Sequence, residues 1–463
     1  MELQDLESKL VGVLGYGQEG KAIASYLVKH GINPVLFDQR PWENWGQTEK
    51  TAIKKSGLNF IFGPDAFKEL TGFDAVFRSP GIKIANITTA VKGRLPIVTS
   101  QTKWFFEHCP AKIIGVTGTK GKGTTASLTS EILEKNFQHP ISRARSRVYL
   151  TGNIGETQPL EILDGLTEND WVVYELSSFQ LQDLDRSPYI AVVLMVTSEH
   201  LDYHEDENEY VEAKSAITKY QTKKNFAVIN ADFGNSTKIG GYGEGKKLYF
   251  SRKRTDVDCF TDAANLIGPG IQYPISDIQL RGSHNLENIM AATLAAQCAG
   301  AAPEVIGTTA INFKGLEHRL EFVSEADGVR YYNDSFSTTP ETAIAAMRSF
   351  TEPTIVILGG SGKNSDFTEL GKTVTNMKNI KAVILIGEEG PRIKTAIARA
   401  GKFAGRLLEG ARSMADIFAQ IKPIAASGDI VLLSPGCASF GMFKNYKDRG
   451  QQFKNCAKNL SIC

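Results

Sequence analysis

Lys112-Ile113-Ile114-Gly115-Val116 leads into Gly118-Thr119-Lys120-Gly121-Lys122-Gly123-Thr124-Thr125, and a helical pattern follows from Ala126 to about Lys135. An apolar strand, a Gly/Lys-rich turn and a helix in that order make a phosphate loop. Exposed backbone N–H groups, the Lys122 ammonium and the helix dipole converge where a triphosphate would sit. The Thr124 hydroxyl, just past the lysine, is of a type that holds Mg²⁺. The usual G-x-x-x-x-G-K-[ST] spacing is not met, because the upstream glycines are Gly115 and Gly118 and Gly123 follows Lys122. A purely structural glycine turn would not need two lysines and two threonines.

Working outward, short β-branched runs alternate with helical patterns along the 463 residues. That alternation predicts an α/β fold with parallel sheets, and about 150 residues per domain gives roughly three domains. Strands are expected at Leu10–Leu14, Pro34–Phe37, Asn59–Phe62 and Ala75–Arg78, then at Trp171–Tyr174 and Ala191–Val196. Others are expected near Arg330–Tyr332, Thr354–Leu358, Ala382–Ile386 and Asp429–Leu433. Boundaries near 106 and 315 give domains 1–106, 107–315 and 316–463. Hydrophobic residues make up 42% and charged residues 22%, enough for full-sized cores and too apolar for disorder. Lys+Arg 52 against Asp+Glu 51 excludes a nucleic-acid binder that works through overall charge. No run approaches the ~18 apolar residues of a membrane span, and the acidic start MELQDLESKL is no secretory signal. Six scattered Cys without a C-x-x-C pair argue against a disulfide framework or zinc site and for a reduced cytoplasm. The basic stretch Ser142–Arg147 reads as a solvated loop.

A second glycine motif, Gly15-Tyr16-Gly17-Gln18-Glu19-Gly20, lies between the first strand and its helix, and Asp38 ends the next strand. Its glycines allow a tight turn and bring backbone N–H groups to a diphosphate. By itself it fits a nicotinamide dehydrogenase, a nucleotide-sugar site or a bare packing turn. Further along, Glu175 ends the Trp171–Tyr174 strand, where phosphate-loop enzymes place a metal-facing carboxylate, although surface acids also occupy strand ends. His200 follows the next strand at its C-terminal edge, the side on which α/β sheets bind ligands.

Other stretches carry a resemblance. They are Glu175-Leu176-Ser177-Ser178-Phe179-Gln180-Leu181, Gly315-Leu316-Glu317-His318-Arg319, Asn333-Asp334-Ser335 and Leu433-Ser434-Pro435-Gly436-Cys437-Ala438-Ser439. Arg78-Ser79-Pro80-Gly81, Gly152-Asn153-Ile154-Gly155, His284-Asn285-x-x-Asn288 and Phe443-Lys444-Asn445-Tyr446 complete the set. In that order they resemble the Mur ligase superfamily, ATP-dependent amide-bond ligases, almost end to end. The resemblance is nearest to members that add D-glutamate to UDP-N-acetylmuramoyl-L-alanine.

It implies a Rossmann-like N-terminal domain, a central P-loop ATPase-like domain and a Rossmann-like C-terminal domain. The first would hold the UDP-sugar, with Gly17 and Gln18 at the diphosphate and Asp38, Arg40 and Ser79 near uridine and ribose. Mg²⁺ and ATP would meet Lys122, Thr124 and Glu175 in a loop running from Gly118 to Thr125, with Asn285 and Asn288 near the adenine. Asn153, Ser177 and Gln180 would contact the sugar or its peptide, and His200 and Lys214, the latter as a carbamate, would serve the metal. Arg319 and Asp334 would close over ATP, and Thr338, Lys363, Ser439 and Tyr446 would hold the glutamate. The implied enzyme is a cytoplasmic monomer of peptidoglycan precursor synthesis, working through an acyl phosphate, with small-molecule partners and neither nucleic acid nor membrane.

The chain departs from the family pattern in the loop, with Lys120 for Asn and Gly123 after Lys122, a form shared with folylpolyglutamate synthetases. Phe336 stands where the family has Lys, and Tyr446 where it commonly has Phe. The nearest alternative is therefore a ligase adding L-glutamate, then a folate ligase, and from another class an NAD-dependent oxidoreductase.

Overall fold

Val11–Leu14 (β1) is the centre of the first sheet. It pairs in parallel with Val35–Asp38 (β2) on one side and Ala75–Arg78 (β4) on the other, with Phe60–Phe62 (β3) and Ile97–Ser100 (β5) at the edges. The order β3-β2-β1-β4-β5 reverses direction at β1, which opens a crevice beyond the strand C-termini where ligands bind. The computed structural model describes residues 1–91, 93–138, 146–154, 157–197, 206–280, 282–362 and 365–459.

The second sheet has nine strands. In chain order they are Lys112–Thr117 (β6), Val148–Gly152 (β7), Trp171–Glu175 (β8), Ile190–Val193 (β9), Phe226–Asn230 (β10) and Lys246–Ser251 (β11), then Cys259–Thr261 (β12), Asn265–Gly268 (β13) and Ile271–Pro274 (β14). Their order is β14-β13-β12-β11-β10-β9-β6-β8-β7, so β6 lies between β8 and β9 and delivers the phosphate loop to the switch point. β1 to β5 and β6 to β14 belong to one compact unit, Met1–Ile275 with Glu287–Ala310. A single apolar core joins the two sheets there: Val11, Val13 and Phe77 of the first, Trp104 and Phe105 of the helix Gln101–His108, and Val172 and Tyr174 of β8. Arg78, fully buried, crosses the same junction to Asp183 at 2.8 Å.

The other compact unit is Ser276–Leu286 with Ile311–Cys463. Its sheet comprises Glu321–Ala326 (β15), Val329–Asn333 (β16), Thr354–Gly359 (β17), Ile380–Ile386 (β18), Arg406–Leu408 (β19) and Ile430–Leu433 (β20). The order is β15-β16-β20-β17-β18-β19, parallel except for the β15 hairpin edge. Period-two alternation sends Ile355 and Ile357 into one core and Val356 and Leu358 into another, so both faces of β17 are covered.

The expected strands appear, several shifted by a residue or two. β9 ends at Val193 where the pattern suggested Val196, and the helix after the phosphate loop starts at Lys122 rather than Ala126. The N–H of Thr125 already bonds the carbonyl of Gly121, so the Gly-Thr-Thr run is itself the first turn. Arg147, expected in a solvated loop, is bound to buried Asp170 at 2.6 Å; residues 142–145 of that stretch lie outside the described residues. Among the described residues Cys109, Cys259, Cys298 and Cys437 are free thiols. Among the described residues no helix is long and apolar enough to cross a membrane.

Candidate active site

The three glycines of the first turn have three separate jobs. Gly15, at φ +85°, makes the tight bend, and a Cβ there would lie 2.8 Å from Ser79 Oγ. Gly20 packs so closely that a Cβ would fall 1.8 Å from the Gly15 carbonyl oxygen. Gly17 faces open space, which leaves its backbone approachable at the N-terminus of the helix Gln18–Lys29; Gln18 is exposed beside it. Asp38 braces this turn, accepting from the N–H of Tyr16 at 2.9 Å and of Arg40 at 2.8 Å. Ser79 Oγ donates to the Gly15 carbonyl. Beside them lies an aromatic group that the glycine spacing did not reveal. Tyr16 packs on Phe60 and Trp45, Trp45 on Phe62, and the Arg40 guanidinium lies 3.3 Å from the Trp45 ring centre. A planar base is the kind of ligand such a wall accepts.

The phosphate loop has the shape of a cradle. Gly118 (φ +157°) and Gly121 (φ +88°) leave room that a side chain would fill, since a Cβ on Gly121 would lie 2.1 Å from Asn288 Oδ1. Lys122 curls back over the loop, its Nζ 3.0 Å from the Gly118 and Thr119 carbonyl oxygens. Thr119 Oγ1 donates to the Thr197 carbonyl, Thr125 bonds Asn288, and Thr124 stands partly exposed in the first helical turn. Lys120 and Gly123 differ: the former is exposed and the latter buried.

Lys214 comes to this loop from the helix Glu207–Lys219. It is 1% exposed, with Nζ 3.4 Å from both Thr117 Oγ1 and the Gly118 carbonyl. Tyr210, one turn earlier on that helix, lies under the Lys214 ammonium at 4.6 Å from the ring centre, and its hydroxyl meets Thr119 Oγ1 at 3.1 Å. Motif reading missed Tyr210; its signal was the i, i+4 spacing to Lys214. Glu175, buried, ends β8 opposite Val116 of β6, and its carbonyl accepts from the N–H of exposed Asn153. The hydroxyl of Thr124 and the carboxylate of Glu175 are hard oxygen donors, the chemistry that suits Mg²⁺. His200 lies outside the described residues.

Ser177 and Gln180 form a capping box, so Gln180 Oε1 accepts from the Ser177 N–H at 3.0 Å. The Gln180 amide then reaches across to Glu19 Oε1 at 3.0 Å and links the glycine turn to the loop after β8. Burial, against the Gln180 hydrogen bond and the Arg78 charge, raises the Glu19 pKa to about 7.

In the other unit, Asp334 directly follows β16, with Oδ1 accepting from the Leu320 N–H and Oδ2 from Ser434 Oγ at 2.6 Å. Burial raises its pKa to about 7. Arg449, fully buried, pins two loops together, donating to Ser335 Oγ, to the Ser335 carbonyl and to the Cys437 carbonyl. Thr338 and buried Ser439 lie on these two loops, and Tyr446 accepts from Ser335 Oγ at its carbonyl. Arg319 stacks on Phe336. Lys363 lies outside the described residues, and Asn285 lies one turn before Asn288 on the helix Ser283–Cys298. Glu317, His318 and Glu321 bring their ligand atoms within 4.8 Å of one another. Lys454 sits between the two carboxylates at 2.6 and 2.8 Å, which makes the group an ion-pair knot.

These arrangements have known relatives. The family model for the Mur ligase middle domain matches residues 116–296, and that for the Mur ligase glutamate ligase domain matches residues 318–437. The chain is 34% identical over 460 residues to the UDP-N-acetylmuramoylalanine--D-glutamate ligase of Clostridium perfringens, covering 98% of each chain. It is 35% identical over 471 residues to the protein of the same name from Acetivibrio thermocellus, covering 98% of this chain and 97% of that one. Among solved structures it is similar to UDP-N-acetylmuramate-alanine ligase MurC from Thermotoga maritima, with a TM-score of 0.59 at 16% identity over 98% of this chain and 100% of that one. The MurF ligase from Thermotoga maritima in complex with ADP gives a TM-score of 0.56 at 17% identity, over 99% and 97%. At such identities the structural likeness speaks for the fold alone, whereas the sequence likeness extends over 98% of the chain. The chain belongs to the Mur ligase family.

Proposed function

We propose that this chain is the cytoplasmic, ATP-dependent ligase that joins D-glutamate to UDP-N-acetylmuramoyl-L-alanine in peptidoglycan precursor synthesis. The observation that carries the reading is the end-to-end likeness, at 34% identity over 98% of the chain, to a ligase bearing that name. The phosphate loop supports it: a glycine cradle at a helix N-terminus, with one lysine curled over it and another buried beneath it. The reading divides the chain into domains 1–106, 107–315 and 316–463.

The chemical problem is that an ionised carboxylate is a poor acylating agent and repels ATP. Mg²⁺, when bound, would supply charge that offsets the phosphates and polarises the γ-phosphoryl group. Lys122 leaves the Gly118 and Thr119 carbonyls to take phosphate oxygens, and the loop N–H groups share that charge without reorganising. Thr124 and Glu175, together with His200, would hold the metal, and buried Lys214 would support it as a carbamate. Gly17 and Gln18 receive the diphosphate, Asp38, Arg40 and Ser79 frame the nucleoside, and Asn153, Ser177 and Gln180 guide the muramoyl-alanine carboxylate. That carboxylate takes the γ-phosphoryl group to give an acyl phosphate, with ADP leaving. The glutamate amine, presented by Thr338, Lys363, Ser439 and Tyr446, attacks the acyl carbon and expels phosphate. Arg319 and Asp334 serve the nucleotide, as do Asn285 and Asn288.

The test is phosphate release from ATP with UDP-N-acetylmuramoyl-L-alanine and D-glutamate, L-glutamate or no amino acid. Release that depends on D-glutamate is expected. Preference for L-glutamate would leave a muramoyl ligase of altered specificity, and release independent of the muramoyl substrate would overturn the reading.

A further inference from the structure

Arg319 leaves a backbone that is held on both sides in an unfavourable conformation. His318 and Leu320 have φ of +64° and +46°, the left-handed region that side chains with a Cβ rarely adopt. Such strain persists only where the surroundings impose it. Here the His318 N–H donates to Glu321, its ring meets the Asn333 amide at 2.8 Å, and the Leu320 N–H donates to Asp334. The direction in which the Arg319 side chain departs is therefore set before any ligand arrives.

Where that side chain goes is also prepared. Its guanidinium carbon lies 4.0 Å from the centre of the Phe336 ring, which is 41% exposed and gains little from burial. Phe336 is itself held, by its N–H to the His318 carbonyl at 3.0 Å and by the edge of Tyr446, with centroids 5.1 Å apart and planes at 88°. Tyr446 stands in the same edge-on relation to His318 at 5.8 Å. Arg319, Phe336, Tyr446 and His318 thus form a closed ladder within one unit. A guanidinium held over a ring by the ring's quadrupole has a defined position, and the planar arginine fork matches phosphate oxygens in shape and charge.

We infer that Phe336 is a positioning residue whose ring holds the Arg319 guanidinium in place for the nucleotide phosphates. The inference rests on the ligase reading, in which Arg319 serves ATP. It gives the aromatic side chain a function of its own, where the family's lysine would have brought a second cation beside Arg319.

The experiment is a double-mutant cycle on the full chain, measuring kcat/KM and KM for ATP and for D-glutamate by phosphate release. Phe336→Leu keeps an apolar side chain of similar size and removes the ring face. It is expected to raise KM for ATP about 3- to 30-fold, the range of a cation–π contact, with KM for D-glutamate within about twofold of the parent. Phe336→Tyr is expected to restore the ATP value. In an Arg319→Ala background, Phe336→Leu should have no further effect on kcat/KM for ATP, because the interaction is already gone. Additive effects, failure of the tyrosine variant to restore binding, or a Phe336→Leu effect confined to glutamate would overturn the inference and leave the ligase reading intact. If Arg319→Ala itself leaves kcat/KM for ATP unchanged, the nucleotide role of Arg319 falls with it. Loss of D-glutamate-dependent release in the parent would instead strike the ligase reading.

Discussion

Glu19 sits in the glycine turn with a carboxyl whose ionisation is opposed. Its Oε1 accepts from Gln180, its Oε2 has no hydrogen-bond partner among the described residues, and it shares the Arg78 charge with Asp183, whose Oδ1 likewise has none among them. Among the described residues the Arg78 charge, the Gln180 amide and the Asp183 acid act on it, and the buried Tyr174 hydroxyl is close enough to feel its charge. Burial raises its pKa from 4.5 to about 7, which at 1.36 kcal/mol per unit corresponds to about 3 kcal/mol. A folded-state pKa above the unfolded value means that the folded chain holds the proton longer. The stabilising contribution of this group is full below about pH 4.5 and is lost as pH rises through about 7. Glu19→Gln removes the titration and keeps a carbonyl oxygen facing Gln180. The substitution is thus expected to stabilise the protein increasingly from pH 5 to pH 8, by about 3 kcal/mol across the interval. Urea unfolding of both proteins at several pH values, followed by tryptophan fluorescence, measures the difference. A difference that does not change with pH would refute the argument, because it would mean that Glu19 titrates alike in the folded and unfolded chains.

Lys122→Ala is expected to lower turnover at least ~100-fold through loss of a phosphate contact, while thermal unfolding stays near that of the parent; normal ligation by the folded variant would remove Lys122 from the mechanism. Lys214→Ala should lose activity that formate or acetate partly restores, standing in for the carbamate, and absence of rescue together with an unmodified lysine by intact mass would refute that role. Gly121→Ala places a Cβ 2.1 Å from Asn288 Oδ1 at φ +88°, so ATP-dependent release should fall sharply with a stability loss of about 1–3 kcal/mol, read by turnover and thermal unfolding; unchanged turnover would show that the loop tolerates a side chain.

Local signals carried much of the architecture. Ala75–Arg78 and Trp171–Glu175 are apolar runs long enough to form buried parallel strands, and both are strands here. The five strands between Phe226 and Pro274 were not read. Lys246-Lys247-Leu248-Tyr249-Phe250-Ser251 begins with two charges, and β12 has only three residues, so neither has a pattern of its own. They become strands because β10 offers a parallel edge that extends outward strand by strand.

The same division holds for the site. Sequence alone determined the shape of the phosphate loop: a strand, a glycine-rich turn and a helix are consecutive, so their geometry follows from local backbone preference. It also determined the family, because ordered motifs survive as text whatever their contacts. Tertiary structure decided what the lone residues do. Asp38 braces the Tyr16 and Arg40 N–H groups, Gln180 reaches Glu19 across the chain, and Arg78 is fully buried against Asp183. Tyr210 and Lys214 come under a loop roughly ninety residues earlier in the chain, and Phe336 becomes a platform for Arg319. Each of these depends on which surfaces pack together, and the free energy of a buried charge or an aromatic face is set by neighbours that its own stretch of chain does not contain.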